Sequence, residues 1–217
     1  MKHQRRNYGQ YCGLAAALDV LGERWTLLIV RELLSGPCRY NEVLGNLPGI
    51  GTNLLADRLK FLTEEDIIRQ RPQEGTKTRM YELTARGESL RPAVLALARW
   101  GLGVLEAPEA EETVRPRWGL LAVEAMIDPS RVGPDELYEF RLDDEAFHIA
   151  VEGGAVKVLH GKAADPPALV VHTDAVTFVE IGAGRLNPLE ATLTRRVVME
   201  GDPDAVLRCS RLLGLMP

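Results

Sequence analysis

The sequence predicts an α+β chain of two domains, the first mostly helical with one β-hairpin, the second a mixture of strands and helices. Three observations predict it. Residues 1–105 carry 15 Lys+Arg against 11 Asp+Glu, a balance of +4, whereas residues 106–217 carry 11 against 20, a balance of −9. Such asymmetry separates two domains with different partners. Between them, Glu106-Ala107-Pro108-Glu109-Ala110-Glu111-Glu112-Thr113 is acidic, Pro-interrupted and poor in large apolar groups, as a linker is. Finally, apolar residues recur at helical spacing early in the chain and as short β-favouring runs later. The expected boundaries are 1–105, a linker at 106–114, and 115–217.

Composition narrows the class. The 217 residues are 46% apolar, enough for packed cores and far from a disordered composition. No run of eighteen apolar residues exists, so no membrane-spanning helix and no membrane partner is expected. The N-terminus is basic but lacks the apolar run of a signal peptide. Cys12, Cys38 and Cys209 are odd in number and widely spaced, which builds neither a disulfide framework nor a metal knuckle. A reduced, cytoplasmic protein without a metal or other cofactor is the expectation.

Taken in order, Leu14, Leu18 and Leu21 lie at i, i+4 and i+7, and Gly22 follows as a stop. Trp25–Leu34 is too apolar for a surface helix and belongs in the core. Ser35-Gly36-Pro37 ends it, since Pro cannot continue a helix. A short helix is predicted from Arg39 to Leu47, closed by Pro48-Gly49. Another runs from Gly51 to Glu65 with Leu55, Leu59 and Leu62 on one face. Ile67–Arg71 and Arg79–Leu83 read as strands of a hairpin around Gly75. Thr84 then caps a helix carrying Leu90, Val94, Leu97 and Leu105. In the second half a helix is expected at Arg117–Ile127 and strands at Leu137–Leu142, Ala146–Val151, Val156–Leu159 and Ala168–His172. Beyond these come a helix at Asp174–Gly182, a strand at Arg195–Glu200 and a helix at Pro203–Leu215 capped by Asp202.

A short helix, a tight turn and a second helix with a polar N-terminal outer face make a helix-turn-helix, and the hairpin that follows makes it winged. The second helix must bury an apolar stripe and present small or hydrogen-bonding groups to base edges in the major groove. Thr52 and Asn53 fit that requirement, with Arg58 and Lys60 placed to meet bases or phosphates from later turns. Arg71, Lys77 and Arg79 would give the backbone and minor-groove contacts of a wing. Arg39 and Tyr40 are further phosphate partners. Double-stranded DNA is the partner this constellation implies.

The same stretch resembles a family. Cys12 to Pro37, then Arg39-Tyr40-Asn41-Glu42-Val43, Leu47-Pro48-Gly49-Ile50, Leu55 to Leu62 and Tyr81 to Gly87 look like the HxlR-type regulators, bacterial winged-helix proteins related to the MarR group. The resemblance covers nearly all of residues 8–102. It implies a homodimer joined by terminal helices (here the segments around Leu14–Leu21 and Leu90–Leu105) on a palindromic operator. It also marks Cys12 as a possible redox thiol, because some relatives sense oxidants or electrophiles through a cysteine there. Two departures stand out: Asp66 occupies the place of a glycine after the recognition helix, and Thr52-Asn53 replaces the family's usual polar pair.

In the second half, Ala168 to Pro188 followed by Val197-Val198-Met199-Glu200-Gly201-Asp202-Pro203 resembles the sterol-carrier-protein-2-like fold. That family holds hydrophobic molecules in an apolar cavity, so the resemblance implies a domain sensing a hydrophobic small molecule, with Trp118, Met126, Phe147, Phe178 and Met199 as ligand-contacting candidates. No Gly-x-Ser-x-Gly, P-loop or HExxH motif is present, and His148, His160 and His172 lack metal-ligand spacing. A non-enzyme is expected. The alternative function is a carrier of hydrophobic ligands that keeps a vestigial DNA module.

Overall fold

The structure, a computed structural model, describes residues 7–72, 75, 78–109 and 112–216. The chain divides by its internal contacts into two units, Met1–Val94 and Leu95–Pro217. Mixed helix and sheet in each unit makes the chain α+β, as the sequence predicts.

The first unit runs α1 (Gly13–Leu21), α2 (Thr26–Leu34), β1 (Cys38–Arg39), α3 (Tyr40–Asn46), α4 (Thr52–Glu64), β2 (Ile68–Pro72), β3 (Arg79–Leu83) and α5 (Ala85–Glu88). Its core is made where helical spacing concentrates leucine and isoleucine. Ile29, Val30, Leu33 and Leu34 of α2 and Leu55, Leu59 and Leu62 of α4 belong to it, and all seven are at most 5% exposed. Val43 and Leu47 seal the short helix onto them. Antiparallel pairing orders a small sheet as β1-β3-β2, with Gln70 opposite Tyr81 and Arg69 opposite Glu82.

Three local features differ from the expectation. α2 starts at Thr26, because Trp25 is held at φ 77° in the left-handed region, which a helix cannot include. Cys38–Arg39 forms a two-residue strand on the free edge of β3, too short to leave a periodic signal. The helix after the hairpin is broken at Ser89–Leu90, so α5 is one turn and α6 begins at Arg91 (Arg91–Leu102). Asp66, the residue in the glycine's place, does sit in the left-handed region at φ 56°. That conformation lets the Ile67 amide bond back to the carbonyl of Leu62 and turns the chain from α4 into the hairpin.

The second unit adds α7 (Gly119–Met126), β4 (Glu136–Leu142), β5 (Glu145–Glu152), β6 (Ala155–His160), β7 (Leu169–Thr173), α8 (Ala175–Gly182), α9 (Pro188–Leu193), β8 (Val198–Gly201) and α10 (Pro203–Leu212). Among the described residues its sheet has the order β6-β5-β4-β7-β8, with β4 and β7 parallel and the other pairs antiparallel. One row of side chains crosses it: Phe147, Phe140, Val171 and Met199 are successive partners from β5 to β8. Asp174 and Asp202 cap α8 and α10 by accepting from the Thr177 and Asp204 amides. α9 had no sequence expectation. It is six residues long, opened by the Asn187 cap and Pro188, and the expected strand from Arg195 begins only at Val198 because Arg195 turns left-handed at φ 59°. No described helix is long and apolar enough to cross a membrane.

Gly87 shows how tightly α5 is seated. A Cβ on it would collide with the backbone carbonyl oxygen of Ile67 and press on Leu83. Backbone cannot give way as a flexible side chain does, so Gly87→Ala should lower the stability of the first unit by about 2 kcal/mol or more, read as an earlier denaturant midpoint for that unit's transition.

Candidate nucleic-acid interface and apolar cavity

Burial of Leu55, Leu59 and Leu62 leaves a continuous stripe of α4 in solvent, made of Thr52, Asn53, Ala56, Asp57 and Lys60. Residues at i, i+1, i+4, i+5 and i+8 share one face of a helix. Three of the predicted site residues, Thr52, Asn53 and Lys60, lie on this stripe. Ala56 and Asp57 lie between them and complete it. The same 3.6-residue period that assigns the leucines inward would have assigned both outward, so the signal was present in the sequence. Arg58 is placed differently. Its side chain is only 17% exposed, and its guanidinium pairs with Glu23 at 2.9 Å, tying the back of α4 to the α1–α2 turn.

The two faces of the hairpin separate the remaining cations. On one face Arg69 and Arg71 both reach Glu82, at 2.8 and 2.6 Å. On the other, Arg79 donates to Gln70 Oε1 at 3.0 Å and Gln70 donates to the Tyr81 hydroxyl at 2.7 Å. Arg71 and Arg79 are therefore not neighbours, although both are in the hairpin. Arg79 instead joins Arg39 and Tyr40 around a shallow recess of about 520 Å³, floored by the start of α3 and the wing strands. The Tyr40 hydroxyl donates to the Thr52 carbonyl at 2.7 Å, which fixes the first turn of α4 against α3. Arg39 is exposed, with its backbone amide bonded to Glu42. Lys77 lies outside the described residues.

The second unit contains an apolar cavity of about 330 Å³. The Phe140–Val171–Met199 row forms its floor, α8, α9 and α10 its sides, and Leu215 and Met216 part of its rim. Of the five residues predicted to touch a ligand, Met126, Phe178 and Met199 line it. Phe147 belongs to the same sheet row but stands behind the wall. It stacks on Phe140 at 5.2 Å between centroids and meets Phe178 edge-on at 6.0 Å. Trp118 is half-buried at the start of α7 and does not line the cavity. Pro188, Leu189 and Thr192 of α9 do, and sequence reading missed them because a one-and-a-half-turn helix has no period to detect.

His148 and His160 have separate partners. His148 faces the Gly161 carbonyl at 2.9 Å, and His160 meets Glu145 at 2.9 Å. No group of three metal-ligating side chains occurs among the described residues.

The model of the HxlR-like helix-turn-helix family matches residues 20–109, and that of the SCP-2 sterol transfer family matches residues 133–214. The HTH-type transcriptional regulator sll1512 of Synechocystis is 34% identical over 104 residues, which are 48% of this chain and 77% of the relative. The chain belongs to the HxlR-like helix-turn-helix regulators. The HTH-type regulator Rv3095 of Mycobacterium tuberculosis is 39% identical over 94 residues, 43% of this chain and 59% of that protein. The solved reduced form of the regulator YodB from Bacillus subtilis is 29% identical and covers 46% of this chain and all of its own, at a TM-score of 0.39.

Cys12 is the exposed cysteine of this HxlR-like chain, whereas Cys38 and Cys209 are buried. It stands at the N-terminus of α1, where the amides of Ala15 and then Leu14 favour the thiolate and hold the thiol below its ordinary range. Burial pushes Cys209 up to about 12. A lowered folded value means that Cys12 is thiolate at a pH where an unfolded thiol is still protonated. Its alkylation by iodoacetamide, followed by mass spectrometry of the peptide, should therefore reach half-maximal rate at lower pH in native than in urea-unfolded protein. Coincident profiles would remove that assignment.

Proposed function

We propose that the chain is a dimeric transcriptional regulator that reads palindromic operator DNA with the exposed stripe of α4 and holds the phosphate backbone with its wing. The observation that carries this reading is the stripe itself. It has a hydrogen-bonding pair at the helix start (Thr52, Asn53), a methyl group (Ala56), a carboxylate acceptor (Asp57) and a cation (Lys60) in one row. Asn pairs with adenine, a small apolar group fits a thymine methyl, and a carboxylate accepts from cytosine. Thr52 starts the row, and the Tyr40 hydroxyl on its carbonyl ties that end of the helix to α3.

The wing cations support it. Glu82 holds both Arg69 and Arg71, so a phosphate can take over one of these half-exposed arginines while the other stays on the carboxylate. Arg39 and Arg79, at the recess beside α3, fit a backbone strand passing between helix and wing. Lys77, which falls between the two wing strands in sequence, is read as a further phosphate partner. Arg58, turned to Glu23, acts in this reading by seating α4 rather than by touching DNA.

Dimerisation is supported by apolar surface with nothing against it. Tyr11, Leu14 and Leu18 at α1 and Leu97, Trp100 and Val104 at and beyond α6 are exposed, Leu14 by 69% and Trp100 by 71%. Large exposed apolar residues on helices mark surfaces that another chain covers. The second unit, with its built cavity, is read as the sensor of a hydrophobic molecule. Such a ligand changes DNA affinity only if it binds the two conformations unequally.

Selection of genomic fragments by the purified protein at near-physiological salt should return a palindrome with half-site centres about one helical turn apart. On that operator Asn53→Ala should weaken binding by about 1–3 kcal/mol and relax one base position. Lys60→Ala should lower the slope of log affinity against log salt by about 1 per half-site. Arg58→Ala should instead lower the melting temperature. Recovery of DNA without sequence preference would favour the carrier reading, to which the cavity of the second unit is equally suited.

A further inference from the structure

We propose that the cavity of the second unit takes an uncharged hydrophobe and rejects amphiphiles with an ionised head, because the wall offers no counter-charge and the arginines near it are held by carboxylates or exposed to water. This rests on the reading of that unit as a ligand sensor and names the class of ligand it would take.

The wall carries no Asp, Glu, Lys, Arg or His among the described residues. Its polar groups are hydroxyls and one thiol. The Thr173 hydroxyl donates to the Arg196 carbonyl at 3.0 Å and the Thr192 hydroxyl to the Pro188 carbonyl at 2.9 Å, so both protons are spent on backbone. Cys209 is protonated at any physiological pH, its thiol pushed up to about 12 by burial. An ion entering such a wall loses its hydration and gains no partner.

A cation reaching in from outside the wall would change this, and several arginines of this unit stand near enough in sequence to ask. Arg208, next to Cys209 on α10, is gripped by both oxygens of Glu136 and by Asp202 at 3.0 Å. Arg196, next to Val197, donates to the Thr177 hydroxyl and to Glu180 at 2.6 Å. Arg131 is paired with Asp128 at 3.2 Å and bonded to the Met216 carbonyl at the rim. These three guanidinia already have carboxylates, and Arg211, next to Ser210, is exposed, where water leaves an ion pair little net strength. The rim residues Leu189 and Met216 are themselves apolar and exposed, which suits entry of a molecule without a charged end.

The cavity volume of about 330 Å³ lies at the lower end of the range for small-molecule sites, about 300–1,000 Å³. One short chain or a compact ring system fills it. Ten-carbon probes that differ only in the head group therefore isolate the charge.

Calorimetric titration of the full-length protein at pH 8 with decan-1-ol, decanoate and decylammonium makes the test. Decan-1-ol should bind and raise the melting temperature. Decanoate has an ordinary carboxyl pKa near about 4, so it would have to enter protonated and should bind at least about a hundredfold more weakly. Decylammonium should also bind at least about tenfold more weakly than the alcohol, since its charge finds no carboxylate. Met199→Lys, which sets a cation in the wall itself, should raise decanoate affinity at least about tenfold. Decanoate or decylammonium binding as tightly as the alcohol, no binding by any probe, or no gain in the Met199→Lys protein would each overturn the proposal. Operator affinity read alongside separates the two ideas. Alcohol binding that leaves DNA affinity unmoved upholds the ligand class while removing the sensor reading, and decanoate binding that shifts DNA affinity does the reverse.

Discussion

Burial of Leu55, Leu59 and Leu62 in the core of the first unit decides what the outside of α4 can be. The three lie at i, i+4 and i+7 and are at most 1% exposed. Each fully buried leucine contributes about 1.5–3 kcal/mol, far more than any exposed ion pair on the same helix, so rotation of α4 about its axis is closed to it. Once the leucines point inward, Thr52, Asn53, Ala56, Asp57 and Lys60 have to point outward. The polar stripe is thus a by-product of core packing, and its chemistry is free to vary without disturbing the fold. The Tyr40 hydroxyl on the Thr52 carbonyl then fixes the first turn, the part that a groove would meet first.

The hairpin follows from a different rule, the two-residue period of a strand. Because Arg69 and Arg71 share one face and Gln70 shares the other with Tyr81, a single short hairpin presents two separate charged surfaces. One carboxylate, Glu82, holds two arginines. Its charge is therefore outnumbered, and an approaching anion meets net positive charge before any pair is broken. The opposite face joins Arg79 to the start of α3, so helix and wing contribute to one recess rather than acting as separate contacts.

These rules explain what could be read from the sequence. The leucine period of α4, the hairpin flanks and the Asp66 turn needed only local information, and they stand where the pattern puts them. Arg58 needed more. Its position beside the polar stripe suggested an outward side chain, but a long cation at the shoulder of a helix can turn either way, and the partner that turns it inward, Glu23, is 35 residues away. Phe147 shows the same limit in a strand. Alternation puts it on the correct face of the sheet, yet only the packing of Phe140 and Phe178 around it tells that it supports the cavity wall and does not form it. α9 and β1 are too short for any period, and Trp25 takes a conformation that its residue type disfavours.

The second unit keeps its cavity open by placing its charge elsewhere. Glu136 accepts from the Tyr138 hydroxyl and from Arg208, so the carboxylate, phenol and guanidinium satisfy one another beside the cavity rather than within it. Burial, and then Glu136, hold the Tyr138 hydroxyl well above the ordinary phenol range, so it remains a donor. This cluster anchors α10 on its polar side while Val206 and Cys209 of the same helix face the void. A helix held only by apolar contacts could slide inward and close the space, since filling a void regains dispersion contacts. Fixed at Glu136 and capped at Asp202, α10 resists such a slide, which would break the partly exposed Arg208 ion pairs. A molecule that fills the cavity would supply the missing apolar contacts without asking that network to move.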